Sequence, residues 1–384
     1  GQGAISQFFG DFIMLRRPLG ATGIPAALFF FLLTFLINFT VLAFGVRRGI
    51  ERLNRFATPI LFVLGILLML RVLTLPGISD GLGAMWNPDF SALTSPQVWL
   101  EASGQVFFTL SIAMGIILCY ASYVRPGQDI ILPSVTAIAT NTFAEIILGG
   151  TIVVPLAVVL YGANVSEVAR MGTFGLAFQT MPIVFGKLPL PDLLICLWFF
   201  MLFLAGITSC ISIQQPLIAF CEDDLSWSRR RSILLVGLFS FLGSLVAVFG
   251  LAGGAVDELD FWGASFLLVV SGTLQAFLFA FVLGEEGWEL LNEGAKRRLP
   301  RWIWWVMRWV TPFYLLVMLV AWTIHDGWRT IILQDIDSAA SVTLLGYSVN
   351  HLAFLWGVRG FLLLILVLAL LIIRHAWRKR GDRP

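Results

Sequence analysis

The chain has 384 residues, of which 58% are hydrophobic and only 12% charged, and its mean hydropathy is +0.89. Soluble domains carry roughly a quarter charged residues, so this composition excludes a soluble globular protein and predicts an all-α polytopic membrane protein. The net charge of +2 gives no reason to expect a nucleic-acid partner, and the four cysteines match no disulfide, metal or haem pattern.

Apolar runs long enough to cross a bilayer, which takes about 17–25 residues in a helix, recur along the chain. We expect about nine spans, at residues 25–44, 56–75, 99–123, 130–160, 193–220, 233–251, 261–284, 302–324 and 352–373. They would form a single transmembrane domain over residues 1–384. The chain opens at Gly1 without Met and in the middle of a loop, so we expect an N-terminally truncated protein with further spans upstream.

Basic residues alternate between the loops. Arg and Lys cluster in every second connection, at residues 46–55, 125, 228–231, 296–301 and 374–380. Loops rich in Arg and Lys face the cytoplasm, so the N-terminal segment is predicted outside and the basic tail 374–384 in the cytoplasm. The location would be the lipid bilayer of the cell inner (plasma) membrane. Residues 161–190 are predicted to fold back as an extracellular re-entrant loop over a vestibule.

The third predicted span, 99–123, carries polar and flexible residues at mid-depth, namely Thr109, Ser111 and Gly115. Discontinuous helices in secondary transporters hold ions or zwitterions with freed carbonyls and half-helix ends, so this span is a candidate for unwinding. The alternative is an ordinary spanning helix whose Thr and Ser hydroxyls bond back to the preceding turn. The residue pattern leaves both interpretations open.

Two further spans carry polar groups at the same depth. Asn141 and Glu145 lie one turn apart in the fourth span, and the polar run 205–212, which includes Thr208 and Ser209, interrupts the fifth. Amide, hydroxyl and carbonyl oxygens are suitable ligands for a hard cation such as Na+. The plainer alternatives are an interhelical hydrogen bond of Asn141 and close helix packing at Thr208 and Ser209.

Several longer runs resemble motifs of the neurotransmitter:sodium symporter family. They are Gly49-Ile50-Glu51-Arg52, Gly104-Gln105-Val106-Phe107-Phe108-Thr109-Leu110-Ser111, Tyr120-Ala121-Ser122-Tyr123-Val124-Arg125, Asn141-Thr142-Phe143-Ala144-Glu145, Ala205-Gly206-Ile207-Thr208-Ser209 and Asp257-Glu258-Leu259-Asp260-Phe261-Trp262. The likeness covers nearly all 384 residues, in the order of the family's fourth to twelfth helices. It implies a partial inverted-repeat transporter fold of the 5+5 helix type, with about nine transmembrane helices present.

The resemblance also implies roles for individual residues. Sodium ligands would be Thr109, Asn141, Ala205, Thr208 and Ser209; substrate-binding residues would be Phe108, Thr109, Ser111, Met114, Ser209 and Ile213; gate residues would be Gln105, Asp260, Tyr123 and Asp223; and Glu145 would replace chloride. Two positions depart from the family pattern, since Ala113 stands where Gly is frequent and Met114 where an aromatic residue is common. Because the family's first helix contributes to both sodium sites, the two Na+ sites would be incomplete in this chain.

The implied function is sodium-coupled secondary active symport of an amino acid or related small amine by alternating access, independent of chloride and with proton counter-transport. The alternative is a transport-inactive truncated membrane scaffold or partner-binding protein, and upstream codons for about three more spans would favour the transporter. An enzyme is not expected, because no Ser/Lys pair, Asp pair or His cluster suits acid–base chemistry at depth. The particular substrate and the oligomeric state stay open.

Overall fold

The computed structural model describes residues 2–13, 15–19, 25–87, 90–161, 175–334, 336, 340–344 and 347–381. Helices follow one another along nearly all of this chain, and a β-hairpin precedes the last of them. In chain order the helices are α1 Gln2–Ile13, α2 Ala26–Ala43, α3 Val46–Leu73, α4 Ile78–Trp86, α5 Pro96–Thr109, α6 Ile116–Ala121, α7 131–161, α8 Leu176–Phe185, α9 Pro191–Asp223, α10 Arg229–Gly250, α11 Ala255–Asn292, α12 301–331 and α13 His351–Gly381. Strands β1 Ser341–Leu344 and β2 Tyr347–Asn350 pair antiparallel.

Eight helices in the described part of the chain are long and apolar enough to cross a membrane: α2, α3, α7, α9, α10, α11, α12 and α13. The remaining predicted span, 99–123, is a helix broken in its middle. Its halves, α5 and α6, have 14 and 6 residues, so neither alone reaches the length that a bilayer requires.

The polytopic helical prediction is confirmed for these eight spans, and two connections contain more structure than expected. The connection between the predicted spans 56–75 and 99–123 contains α4 and a short 3₁₀ turn, Phe90–Thr94. The segment before α13 contains the two-stranded hairpin, which an all-α prediction does not include.

Two further predictions, an interruption within one span and the start of the basic tail, also differ from the structure. The polar run 205–212 does not interrupt its span, because α9 is continuous from Pro191 to Asp223. Residues 374–381 of the predicted basic tail continue α13, and residues 382–384 lie outside the described part of the chain.

The chain forms two compact units. The first consists of Gly1–Asp89 and Ala139–Gln214, and the second consists of Phe90–Ile138 and Gln215–Pro384. Each unit has its own buried apolar core, because the apolar faces of its helices pack against one another.

The core of the first unit is formed by α3, α7, α8 and α9. Its buried side chains are Leu68, Val72, Leu75, Ile152, Leu156, Met181, Val184, Phe185, Leu194 and Trp198. The indole nitrogen of Trp198 donates a hydrogen bond to the carbonyl of Ala177 at 2.9 Å, which ties α9 to α8. Helix α4 lies directly on α7: a Cβ added at Gly81 would stand 2.5 Å from the Cα of Pro155, so only glycine permits this approach.

The core of the second unit joins α5, α11 and α12. Its buried side chains are Leu100, Val269, Leu315, Met318 and Trp322. Trp322 is 1% exposed and donates its indole N–H to the amide oxygen of Gln97 at 2.8 Å. The rings of Phe261 and Phe266 lie with their centroids 5.8 and 5.3 Å from that indole. The first half of the broken helix is therefore firmly packed.

Candidate functional site

The break between α5 and α6 begins with two capping hydrogen bonds. The N–H of Ser111 donates to the carbonyl of Phe108 at 3.0 Å, and the N–H of Ile112 donates to the carbonyl of Phe107 at 2.9 Å. This pair of bonds is the Schellman motif, which ends a helix with one residue in the left-handed conformation. That residue is Ser111, at φ +55°. The prediction that this span unwinds is therefore confirmed, and the alternative of an uninterrupted helix is wrong.

Two more residues of the break have left-handed backbones. Ala113 has φ +65° and Gly115, which precedes α6, has φ +80°. The left-handed conformation costs a residue with a side chain about 1–2 kcal/mol, so the segment needs outside support. Helix α11 supplies it: the Ser271 hydroxyl donates to the Ala113 carbonyl at 3.2 Å, and the Gln275 amide donates to the Ser271 hydroxyl at 3.3 Å.

Four predicted substrate-binding residues lie at this break. Phe108, in the last turn of α5, is 45% exposed, and Thr109 ends that helix. Ser111 and Met114 lie in the unwound segment and are half-buried. Unwinding takes the carbonyls of the last helical turn out of the regular hydrogen-bond pattern, and such carbonyls can coordinate a cation.

Asn141 and Glu145 contact each other on α7. The amide nitrogen of Asn141 donates to a carboxylate oxygen of Glu145 at 3.4 Å, and both side chains are half-buried. Helix α7 is π-helical over Phe143–Gly150, and such wide turns are frequent at functional sites. The pair brings a carboxylate and an amide together, and oxygens of both kinds bind hard cations.

The predicted residues of α9 share one face of that helix, because Thr208, Ser209 and Ile213 lie three, four and eight residues after Ala205. The Thr208 hydroxyl donates to the carbonyl of Ala205 at 3.0 Å. Hydroxyl and carbonyl oxygens are the ligand types that a hard cation such as Na+ takes. Ser209 and Ile213 are exposed on the first unit, with Ile213 46% exposed.

The same hydroxyls explain why α9 is not interrupted. Thr208 also donates to the carbonyl of Leu204 at 2.9 Å, and Ser212 donates to the carbonyl of Thr208 at 2.9 Å. Hydroxyls that bond back to the preceding turn are compatible with a continuous helix, although they can bend it slightly.

The four predicted gate residues all lie in the second unit. The Tyr123 hydroxyl accepts a hydrogen bond from the side-chain amide of Gln215 at 3.2 Å. Asp223 ends α9, Gln105 lies on α5 and Asp260 lies on α11, and all three are exposed. Gln215, fully buried in a predicted span, is a polar partner that the sequence pattern did not single out.

The structure divides the predicted site residues between the two units. Phe108, Thr109, Ser111, Met114 and the gate residues belong to the second unit, and Asn141, Glu145, Ala205, Thr208, Ser209 and Ile213 belong to the first. Within the first unit, the structure brings Asn141 onto Glu145 and Thr208 onto Ala205. Within the second unit, it places the substrate-binding candidates on one unwound segment.

Asp129 joins two connecting loops of the second unit. Its carboxylate accepts hydrogen bonds from the first two N–H groups of α7 at 2.9 and 3.1 Å, and from the N–H of Lys296 at 3.1 Å. These bonds, that of Lys296 first among them, hold the pKa of Asp129 below its ordinary value, because they favour the charged form. The loops touch at two glycines, since a Cβ on Gly294 would overlap the Gly127 carbonyl oxygen.

A buried ion pair was missed by the sequence reasoning. Arg359 of α13 lies with its Nε 2.7 Å from a carboxylate oxygen of Glu258, and the two side chains are 8% and 13% exposed. The signal was present, because an arginine inside a predicted span needs a partner. The partner itself, on α11, could not be read from the local pattern.

The chain is similar to known transporters in sequence and in structure. The family model described as Sodium:neurotransmitter symporter family matches residues 4–355. An uncharacterized sodium-dependent transporter of Methanocaldococcus jannaschii is 31% identical over 268 residues, which is 69% of this chain and 54% of the relative. Sodium-dependent nutrient amino acid transporter 1 of Drosophila willistoni is 27% identical, over 75% of this chain and 46% of the relative.

Among solved structures, a crystal structure of MhsT in complex with L-phenylalanine is similar to this chain. The TM-score is 0.71 at 27% identity, over 83% of this chain and 71% of that chain. A further curated relative, an uncharacterized sodium-dependent transporter of Haemophilus influenzae, is 29% identical and matched over 65% of its length. The chain thus spans about half to two thirds of the length of these curated relatives, between 46% and 65%.

Proposed function

Because the chain belongs to the sodium:neurotransmitter symporter family, we propose that its protein carries out sodium-coupled symport of an amino acid or related small amine by alternating access. The family consists of transporters, so the prediction of a non-enzymatic protein is confirmed. The eight apolar helices and the family together place the chain in a membrane. The observation that carries the proposal is the unwound segment at 110–115, which separates α5 from α6.

Two sodium sites are proposed. Asn141 of the first unit is proposed as a ligand of the first site, and the Ala205 carbonyl with the Thr208 and Ser209 hydroxyls as ligands of the second. Thr109 of the second unit is proposed as a further sodium ligand. The 3.0 Å contact of Thr208 with Ala205 supports the second site, since both oxygens already converge. Further ligands from outside this chain would complete both sites.

Glu145 is proposed to supply the fixed negative charge that makes transport independent of chloride. Proton counter-transport, a proton moving against the sodium, is part of the same proposal. The contact with Asn141, a proposed sodium ligand, supports this assignment.

The proposed substrate is an amino acid with an apolar side chain. In the second unit, Phe108 is proposed as a lid over the substrate, Ser111 and Met114 as contacts of its side chain, and Thr109 as a contact of its carboxylate. In the first unit, Ser209 and Ile213 are proposed as further side-chain contacts. The L-phenylalanine bound to MhsT and the amino acid transporters among the curated relatives support this class.

Gates and orientation complete the proposal. Gln105 and Asp260 would form the outer gate, and Tyr123 and Asp223 would form the inner one. In the cell inner (plasma) membrane the N-terminal segment would then lie outside and α13 would end in the cytoplasm. The vestibule loop proposed at 161–190 includes α8, which is buried in the core of the first unit, while residues 162–174 lie outside the described part.

The test is a sodium titration of binding by Thr208→Val, which removes one oxygen ligand at nearly constant volume. We expect the half-maximal sodium concentration for binding of labelled L-phenylalanine to rise about ten-fold, which corresponds to about 1.4 kcal/mol. Thr40→Val is the matched control, because Thr40 makes the same hydroxyl bond to the carbonyl four residues earlier, at 2.7 Å to Leu36.

Equal sodium midpoints in the two variants would refute the sodium site on α9. The alternative function, a membrane scaffold without transport, predicts no sodium-dependent binding of any amino acid by the unsubstituted protein. The same titration, carried out with a panel of amino acids, therefore separates the two functions.

A further inference from the structure

Arg359 lies inside a spanning helix and is nevertheless fully engaged by oxygens. Its guanidinium donates to both carboxylate oxygens of Glu258, at 2.7 and 3.0 Å. It also donates to the carbonyl of Thr330 at 3.0 Å and to the carbonyl of Ile331. Arginine presents five donors in a rigid planar fork, which suits this set of four acceptors.

Two indoles enclose the same ion pair. The ring centroids of Trp262 and Trp356 both lie 5.4 Å from the central guanidinium carbon of Arg359. The indole N–H of Trp262 donates to a Glu258 carboxylate oxygen at 3.2 Å. The pair is thus shielded from solvent and lipid, and its geometry is strongly restricted.

This cluster of Arg359, Glu258, Trp262 and the carbonyls of 330–331 joins three elements of the second unit. It fastens the first turns of α11 to the end of α12 and to the third turn of α13. Asp260 lies between Glu258 and Trp262 in the sequence, two residues from each, and its own side chain is exposed. The backbone that carries Asp260 is therefore held on both sides by the cluster.

We propose that Arg359 is a positioning residue for the outer gate: it fixes the start of α11 and so fixes where Asp260 stands when the gate closes. This inference rests on the proposed function, since the gate role of Asp260 belongs to that proposal. Arg359 acts through Glu258 and the backbone and does not touch the substrate.

A double-mutant cycle on the whole protein in lipid nanodiscs tests the inference. The release rate of labelled L-phenylalanine in saturating sodium is measured for Arg359→Lys, for Asp260→Asn and for the double variant. Lysine keeps the charge but loses the fork, so we expect release to become about ten-fold faster, as for the loss of one charge-assisted hydrogen bond. In the Asp260→Asn background the same change should alter release less than about two-fold, because contacts that act through one another are not additive.

Two further variants accompany the cycle. Glu258→Gln keeps the shape and the acceptor for Trp262 but removes the carboxylate, and it should reproduce the faster release if Arg359→Lys fails to fold. Arg329→Lys is the matched control: Arg329 lies at the same end of α12, is exposed, and should leave release unchanged.

The outcomes are distinct. Equal acceleration by Arg359→Lys in both backgrounds, with a large effect of Asp260→Asn alone, would show that Arg359 only stabilises the fold and would overturn the inference. No acceleration by either Arg359→Lys or Glu258→Gln would overturn it as well. Unchanged release in Asp260→Asn alone would instead refute the proposed gate, and the positioning role with it.

Discussion

Replacing Ala113 by glycine should stabilise the protein, because Ala113 holds a left-handed backbone in the break between α5 and α6. At φ +65° the contact of its Cβ with the backbone costs about 1–2 kcal/mol. Glycine removes this cost, but it also increases the conformational entropy of the unfolded chain, which lowers the free energy of unfolding by about 0.4–1 kcal/mol. The expected net effect is a gain of about 0.5–1 kcal/mol in the free energy of unfolding.

Gly115→Ala is the reverse change in the same segment. Gly115 has φ +80°, and the nearest atom to an added Cβ would be the Cβ of Pro216 at 3.7 Å, which is an ordinary contact. The loss of about 1 kcal/mol therefore comes from the backbone alone. Gly263→Ala is the matched control, since it lies inside α11 with no atom within 4 Å of an added Cβ. There alanine should stabilise by up to about 1 kcal/mol through helix propensity.

Thermal unfolding in one detergent, followed by the fluorescence of the 14 tryptophans, ranks the three variants. Ala113→Gly and Gly263→Ala should unfold above the unsubstituted protein, and Gly115→Ala should unfold below it. If Gly115→Ala behaves like Gly263→Ala, or if Ala113→Gly lowers the midpoint, the segment is helical and the break described here is wrong.

Gly81→Ala should lower the free energy of unfolding by about 1–3 kcal/mol, because its Cβ would stand 2.5 Å from the Cα of Pro155. Gly83→Ala in the same short helix is the control. There the nearest atom is 3.4 Å away at the tip of a side chain, so the same unfolding assay should show only a small loss of stability. Folding lowers the pKa of Asp129, so its carboxylate stabilises the fold at pH values above its ordinary pKa of about 3.9, and this stabilisation is lost as the pH falls through the lowered pKa. Asp129→Asn should remove this part of the acid dependence of the unfolding midpoint. Identical curves of unfolding midpoint against pH for the two proteins would contradict the capping role. Glu145→Ser should make sodium-dependent binding weak in gluconate and restore it in chloride, and equal binding in both anions would leave Glu145 a structural acid.

The two polar runs show how far local sequence determines this fold. Thr109, Ser111 and Gly115 resemble the run 205–212 in residue type, yet only the first run unwinds. In α9 the hydroxyls bond back to their own helix, for example Thr208 to the carbonyl of Leu204. No local rule separates the two cases, because support for the break comes from α11, 158 residues further along the chain.

The candidate site is predictable to the same extent. The pattern of oxygens on three spans and the family motifs identify Asn141, Glu145 and Thr208, and the structure adds their actual contacts. The Arg359–Glu258 pair was not predicted, since the residues are 101 positions apart and only the packing of α11 against α13 brings them together. An arginine in an apolar span indicates that it has a polar partner, but the local sequence does not identify which residue that is.

The hydrogen bond from the Lys296 N–H to Asp129 has a consequence for the synthesis of the chain. The two residues are 167 positions apart, and at about 5–20 residues per second the ribosome needs about ten to thirty seconds to pass from one to the other. During that time Asp129 can cap α7 locally, but the broken helix that precedes it lacks Ser271 for most of the interval and the buried Trp322 of α12 for all of it. A nascent chain that pauses before α11 would therefore leave α5 and α6 at the membrane without their packing partners, where they are open to misinsertion and to quality-control proteases.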